Sequence, residues 1–169
     1  RPQAGDAQFH REPFAPTYEE RRTAFLEWMS QQELTEGRYG VWTDIAKLEA
    51  NPEHKISDPA LQASLDFVNE HNDTADFHIA GLLRLYYKYA HSGALTPEQV
   101  AALEETFKSH KYWLDEPNPT PMELWTENHQ ILFASAAYLA GQLYPDQVFT
   151  NSGHTGRDKV AIHRPRILR

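Results

Sequence analysis

Cysteine is absent from all 169 residues. Without a thiol there is no disulfide, no thiolate nucleophile and no cysteine-built zinc site. Any divalent cation must then be held by His and carboxylates. The absence does not choose a compartment; the expectation carried forward is a secreted or periplasmic protein. Basic charge is also short. Lys and Arg number 16 against 24 Asp and Glu, a net charge of −8. A phosphate-binding surface needs clustered cations. The one basic run, Arg164 to Arg169, has no aromatic residues among its cations, so nucleic acid is excluded as a partner. No apolar run reaches the roughly 18 residues of a membrane span. Nucleophile motifs such as GxSxG are missing, as is the tight HExxH metal spacing. Ser152-Gly153-x-Thr155-Gly156 lacks the Lys-Ser/Thr ending of a phosphate loop.

What the chain does have is aromatic residues, at 12%, with 4 Trp and 8 Tyr. They suit a packed helical core and also the stacking of sugar rings. Residues 1–16 show no periodicity and read as an extended arm, with Phe9 and Phe14 as anchors on the helical domain at 17–169. Thr17-x-x-Glu20 is a capping box opening a first helix whose stripe is Ala24, Phe25, Trp28 and Met29. Gly37 and Gly40 mark the turn after it. A second helix is expected over Tyr39–Ala50, stopped by Asn51-Pro52. Asp58-Pro59 signals a third, with Asp58 as N-cap. A fourth is expected over Thr74–His91, with Gly93 just past its end. Thr96-Pro97-Glu98-Gln99 opens a fifth, running to His110. A sixth spans Glu127–Tyr144, and a seventh starts at Asp158, kinked or reset by Pro165. No strand signal stands out.

The helices alternate in character. The first, third and fifth are amphipathic. The fourth and sixth are apolar nearly all round and must be surrounded by protein. Short connections make neighbours antiparallel. The result is an all-α fold of antiparallel helical hairpins, which resembles part of an (α/α) toroid. Three hairpins would form about half of the usual ring of six. The start at Arg1 and a last helix still under way at Arg169 fit the N-terminal portion of a longer protein, completed by a C-terminal segment or a second chain. In this arrangement every outer-to-inner connection emerges at one end: Glu36–Tyr39, Glu70–Asp73 and Leu114–Trp125. The inner-helix N-termini, with their free N–H groups, point there too.

Function is therefore expected at that mouth. Glu127, Asn128 and His129 are the candidate catalytic residues: His for proton transfer, Asn for stabilising an anion, Glu for acid/base work or orientation. Trp125 and Trp113 are candidates for stacking on sugar, Arg157 for holding a substrate carboxylate, and His154 for binding substrate. The stretch WTENHQILFASAAYLAGQLYP is similar to inner-helix segments of toroid carbohydrate-active proteins, the polysaccharide lyases and six-hairpin glycosidases. The resemblance covers about twenty residues. It implies a polysaccharide or oligosaccharide substrate, an Asn that neutralises a uronate carboxyl and a His or Tyr that moves the proton. A hydrolase needs two facing carboxylates, and Glu36, Asp73, Asp115, Glu116, Glu123 and Glu127 all lie in mouth loops without a choice among them.

Two other readings stay open. In a non-catalytic helical binding or structural subunit, Thr126 caps the sixth helix, Glu127 favours its first turn and His129 pins a neighbouring loop. In a metal-dependent enzyme, His71 and Asp73, with His129, hold a divalent cation. Asn72, Asp76 and His78 share that second polar cluster. Asn151, Arg157 and His163 make a third with His154.

Overall fold

Side-chain caps decide where several of the helices begin. In the computed structural model, which describes residues 17–32, 41–122 and 124–168, Thr17 accepts from the Glu20 N–H and Glu20 returns the bond, opening α1 (Tyr18–Ser30). Thr96 and Gln99 do the same for α5 (Pro97–Ser109). At α3 (Asp58–Asn69) the N-cap is Ser57 rather than Asp58: its hydroxyl accepts from Ala60 N, and Asp58 falls into the first turn, where the helix dipole favours it. At α7 (Gly156–Ile167) the cap is Thr155, reciprocated by Asp158, so the helix starts two residues earlier than expected and runs through Pro165 in its last turn. The remaining helices are α2 (Trp42–Ala50), α4 (Ala75–Tyr89) and α6 (Glu127–Leu143). The described residues are all-helical, with one isolated bridge between Val148 and Thr155. No helix among them is long and apolar enough to cross a membrane. The expected arm over 1–16, the Gly37–Gly40 turn, the Glu36–Tyr39 connection, Glu123 and Arg169 lie outside the described residues.

Contacts give the helix directions. Arg22, early in α1, pairs with Glu49 at the end of α2, so those two are antiparallel. Glu49 also binds Lys88 and Tyr89 at the end of α4, so α2 and α4 run the same way. Asp76 and His129 join the first turns of α4 and α6, and Tyr86 meets Tyr144 near their ends, so α6 runs that way as well. Gln99 binds Ile56 O and Asp58, which brings the starts of α3 and α5 together at the opposite end. Helices α1–α6 thus form alternating antiparallel neighbours. Two of the three expected mouth connections do meet: Thr120 donates to His71 O, and Met122 and Leu124 pack with Ala75 and Phe133.

The main core runs from Val41 and Ile45 through Leu61, Leu82 and Phe107 to Phe149. The α6–α7 seam is unusually close: a Cβ on Gly141 would lie 2.6 Å from Gly156 O, and one on Gly156 would lie 2.1 Å from Tyr144 O. Only glycine permits that approach. Two expectations need correction. No described residue of α1 is buried, and its Phe25 and Trp28 are exposed, because among the described residues α1 lies only against α2 and the rim of α4. Helices α4 and α6 are not enclosed all round either. Phe77 and Tyr87 on α4, and Ile131 and Leu139 on α6, form one exposed face that no described element covers.

Candidate functional site

The α3–α4 connection is held in a costly conformation. His71 (φ 53°) and Thr74 (φ 70°) are both left-handed without being glycine. Such residues cost about 1–3 kcal/mol each, Thr the more so as it is β-branched. Asn118 (φ 72°), in the α5–α6 connection, is the remaining left-handed non-glycine residue among those described. All three lie in the connections leading into α4 and α6.

Thr74 sets the start of α4, and that places Asp76 in its first turn, wholly buried against α6. Its Oδ2 lies 2.7 Å from His129 Nδ1. Its Oδ1 has no hydrogen-bond partner among the described residues. Burial pushes the Asp76 carboxyl above the usual carboxylate range. The bond and charge of His129 and the N–H groups of the first turn pull the other way without cancelling it. A carboxylate on Nδ1 holds the imidazole in the tautomer that carries the proton there. The two ring nitrogens point in nearly opposite directions, so Nε2 faces away from the carboxylate. The His129 side chain keeps 11% of its surface exposed while the Asp76 side chain keeps none. The imidazole is therefore the member of the pair that retains a little contact with solvent. Phe77 stands edge-on to it at 5.8 Å.

Around this pair the expected residues sort themselves. Glu127 and Asn128 are exposed on the first turn of α6. Thr126 does not cap that helix; its hydroxyl donates to Asn128 Oδ1 at 2.6 Å, fixing the amide oxygen and leaving the NH2 to point elsewhere. Trp125 is 72% exposed beside them. Trp113 is half-buried, with the Arg166 guanidinium over its ring at 4.2 Å and His163 at its edge. Arg157 and His154 are not brought to this place. Gly156 packs beside Gly141, about 18 Å along α6 from His129, and Arg157 there is ion-paired with Asp146. His154 is exposed in the loop before it.

The metal candidates do not converge. His71 lies edge-on to His110, and Asp73 is exposed. Among the described residues no three His, Asp or Glu side chains form a group able to hold an ion. Of the loop acids, Glu116 is sealed in the interior. Its Oε1 binds Lys159, and its Oε2 accepts from Tyr112 N at 2.8 Å and Asn151 Nδ2 at 3.4 Å. Lys111 Nζ donates to Glu116 O at 2.8 Å. Asp115 is exposed and lies 3.5 Å from Arg166.

Asp76 is the functional candidate whose role sequence reasoning missed. It was grouped with His71 and Asp73, its neighbours in sequence, whereas its partner lies 53 residues away. The chain matches no protein-family model, no curated protein and no solved structure in the comparisons made.

Proposed function

We propose that this chain is part of an (α/α)-toroid-type carbohydrate-active enzyme of the lyase class, working at the end where the connections into α4 and α6 meet. The observation that carries the reading is the 2.7 Å contact of a buried Asp76 with His129 Nδ1. It leaves Nε2 as the outward base. In this reading His129 takes the proton from the carbon beside a uronate carboxyl. The bond to the leaving sugar oxygen then breaks, a carbon–carbon double bond forms, and the leaving oxygen takes up a proton from water. Asn128 offers its NH2 to the carboxyl as negative charge grows on it. Trp125 supplies an exposed ring for stacking. Glu127 flanks the site on the first turn of α6. A lyase needs one base and one anion-stabilising group, whereas a hydrolase needs two facing carboxylates. Glu116 is committed to Lys159, which weakens the hydrolase version.

The test offers the purified chain a panel of uronate polysaccharides and follows the ultraviolet absorbance of the unsaturated product. His129→Gln and Asn128→Ala should each lower turnover by about 10²-fold or more. No cleavage of any panel member, or full turnover by His129→Gln, sinks the reading.

A non-catalytic helical subunit is the second reading. It is favoured by the depth of Asp76, since a carboxylate joined to a histidine across α4 and α6 also serves as a staple. In that case His129→Gln lowers the unfolding midpoint and nothing else.

A further inference from the structure

We propose that the seam of α4 and α6 is a docking surface for an amphipathic helix of a partner protein, apolar along one stripe and acidic along its edges. Three grooves of about 360, 330 and 380 Å3 lie side by side across this face. The first lies between α1, α2 and α4, over Trp42 and Ile45. The second follows α4 and α6, between Leu83 and Leu139. The third lies between α6 and α7, over Tyr138 and Ile167. Arg84 lines both the first and the second, and Ser135 and Leu139 line both the second and the third, so the three grooves adjoin one another. Along its middle, α4 from Ala80 to Lys88 and α6 from Leu132 to Leu139 run side by side in the same direction. That is a little over two helical turns. It is long enough to seat apolar anchors at i, i+3/i+4 and i+7 of a helix laid between them.

Charge selects the occupant. Among the described residues, the cations Arg22, Arg84, Lys88 and Arg164 line these grooves against a single acid, Glu49. Glu49 is already paired with Arg22 and Lys88. Arg84 and Arg164 have no acid partner among the described residues. Two other grooves of this molecule carry acids instead, Asp58 with Glu98 in one, and Glu19, Glu20 and Glu27 in the other. On a chain of net charge −8 a basic-rimmed apolar trough is a local reversal. A second copy is a poor occupant. A two-fold pairing of this face with itself sets like cations against like, and brings together two bodies of the same net charge. A helix with acidic edges meets both the apolar floor and the basic rim. This surface is independent of the proton-transfer reading, since none of its residues belongs to the Asp76–His129 site.

The experiment uses two labelled synthetic helices with the same leucine stripe, one with Glu along both edges and one with Lys, titrated into the intact chain by fluorescence anisotropy. The Glu-edged helix should bind at least tenfold more tightly. Arg84→Glu with Arg164→Glu, both at exposed positions, should cut that affinity by roughly tenfold and shift the preference toward the Lys-edged helix. Ala80→Trp, which fills the seam, should abolish binding of both. Circular dichroism and the unfolding midpoint check that each variant is folded. Absence of binding, equal binding of both helices, or binding untouched by Ala80→Trp in a folded chain overturns the proposal. So does a dimer in light scattering that Ala80→Trp converts to monomer.

Discussion

Asp76 and Glu116 are both carboxylates taken out of water, and their surroundings differ atom by atom. Both Glu116 oxygens are engaged, one by the Lys159 ammonium and the other by the Tyr112 N–H and the Asn151 amide. Lys159 is itself fully buried, lying over the rings of Tyr112 and Phe149. Asp76 has one side-chain partner, His129, besides the N–H groups of its own first turn, and an Oδ1 with no hydrogen-bond partner among the described residues. The first arrangement satisfies the charge and faces no solvent. The second leaves the carboxyl above its usual range and joins it to an imidazole that retains a little contact with solvent. A satisfied buried ion pair fixes a conformation, here the 110–118 chain against α7. An incompletely satisfied one with an outlet has the form of a site. The comparison predicts that variants at the two places fail differently.

The largest effect belongs to Lys159→Met. It leaves the Glu116 carboxylate buried without its cation, which should cost about 3–5 kcal/mol. Adding Glu116→Gln should recover much of that loss, because the remaining group is neutral and Tyr112 N keeps an acceptor. Denaturant unfolding of the two variants measures both numbers. If Lys159→Met alone costs less than about 1 kcal/mol, the network is not the clamp described.

A smaller effect separates the regions by pH. His110 and His163, beside the Lys159 network, are held down to about 3 by burial, with help from nearby cations. Their folded values lie below the unfolded value of 6.5. Each therefore contributes stability that is present above 6.5 and lost as pH falls toward 3. Asp76 has the opposite sign: its folded value is raised above 3.8, so its contribution is present below 3.8 and lost as pH rises through the folded value. Among the described residues neither ring nitrogen of His110 makes a well-formed hydrogen bond, the Val68 backbone exerting only the weakest pull on it, and the ring stacks on Phe133. His110→Phe should then keep neutral-pH stability within about 1–2 kcal/mol and flatten the loss between 6.5 and 3. Unfolding curves across that range check the slope, and an unchanged slope counts against the burial of His110.

Asp76→Asn should move stability by only about 1 kcal/mol at neutral pH, since an amide oxygen still accepts from Nδ1 and a buried charge is removed. Its turnover on a uronate polysaccharide should nonetheless fall by about 10²-fold. A loss of stability as large as that of Lys159→Met would make Asp76 a clamp like Glu116 and erase the distinction.

Local chemistry made much of the fold legible. Thr17-x-x-Glu20 and Thr96-x-x-Gln99 announce helices because a cap needs only neighbours in sequence, and α2–α6 lie within a few residues of where periodicity put them. The uncovered face of α4 and α6 was illegible because apolar periodicity reports what a helix must bury, not whether a neighbour is there. Glu116 read as one of six loop acids with nothing to choose it, and nothing in the sequence singled out Lys159. Only the chain path brings them together across 43 residues. His129 was visible as a candidate, while its carboxylate was hidden among the acids of another loop.

The smallest effect concerns Thr126, where the competing reading was most specific. If Thr126 were the cap that pins α6, Thr126→Ala would cost about 1 kcal/mol, as Thr96→Ala or Thr155→Ala should. In the structure its hydroxyl makes no bond to the helix backbone and donates to the exposed Asn128 instead. Thr126→Ala should therefore stay within about 0.5 kcal/mol of the parent. It should free the Asn128 amide to rotate, lowering kcat more than it raises KM, because Asn128 acts on charge that grows in the transition state. Measured beside Thr96→Ala in the same unfolding experiment, a loss equal to that cap would return Thr126 to the scaffold and Asn128 with it.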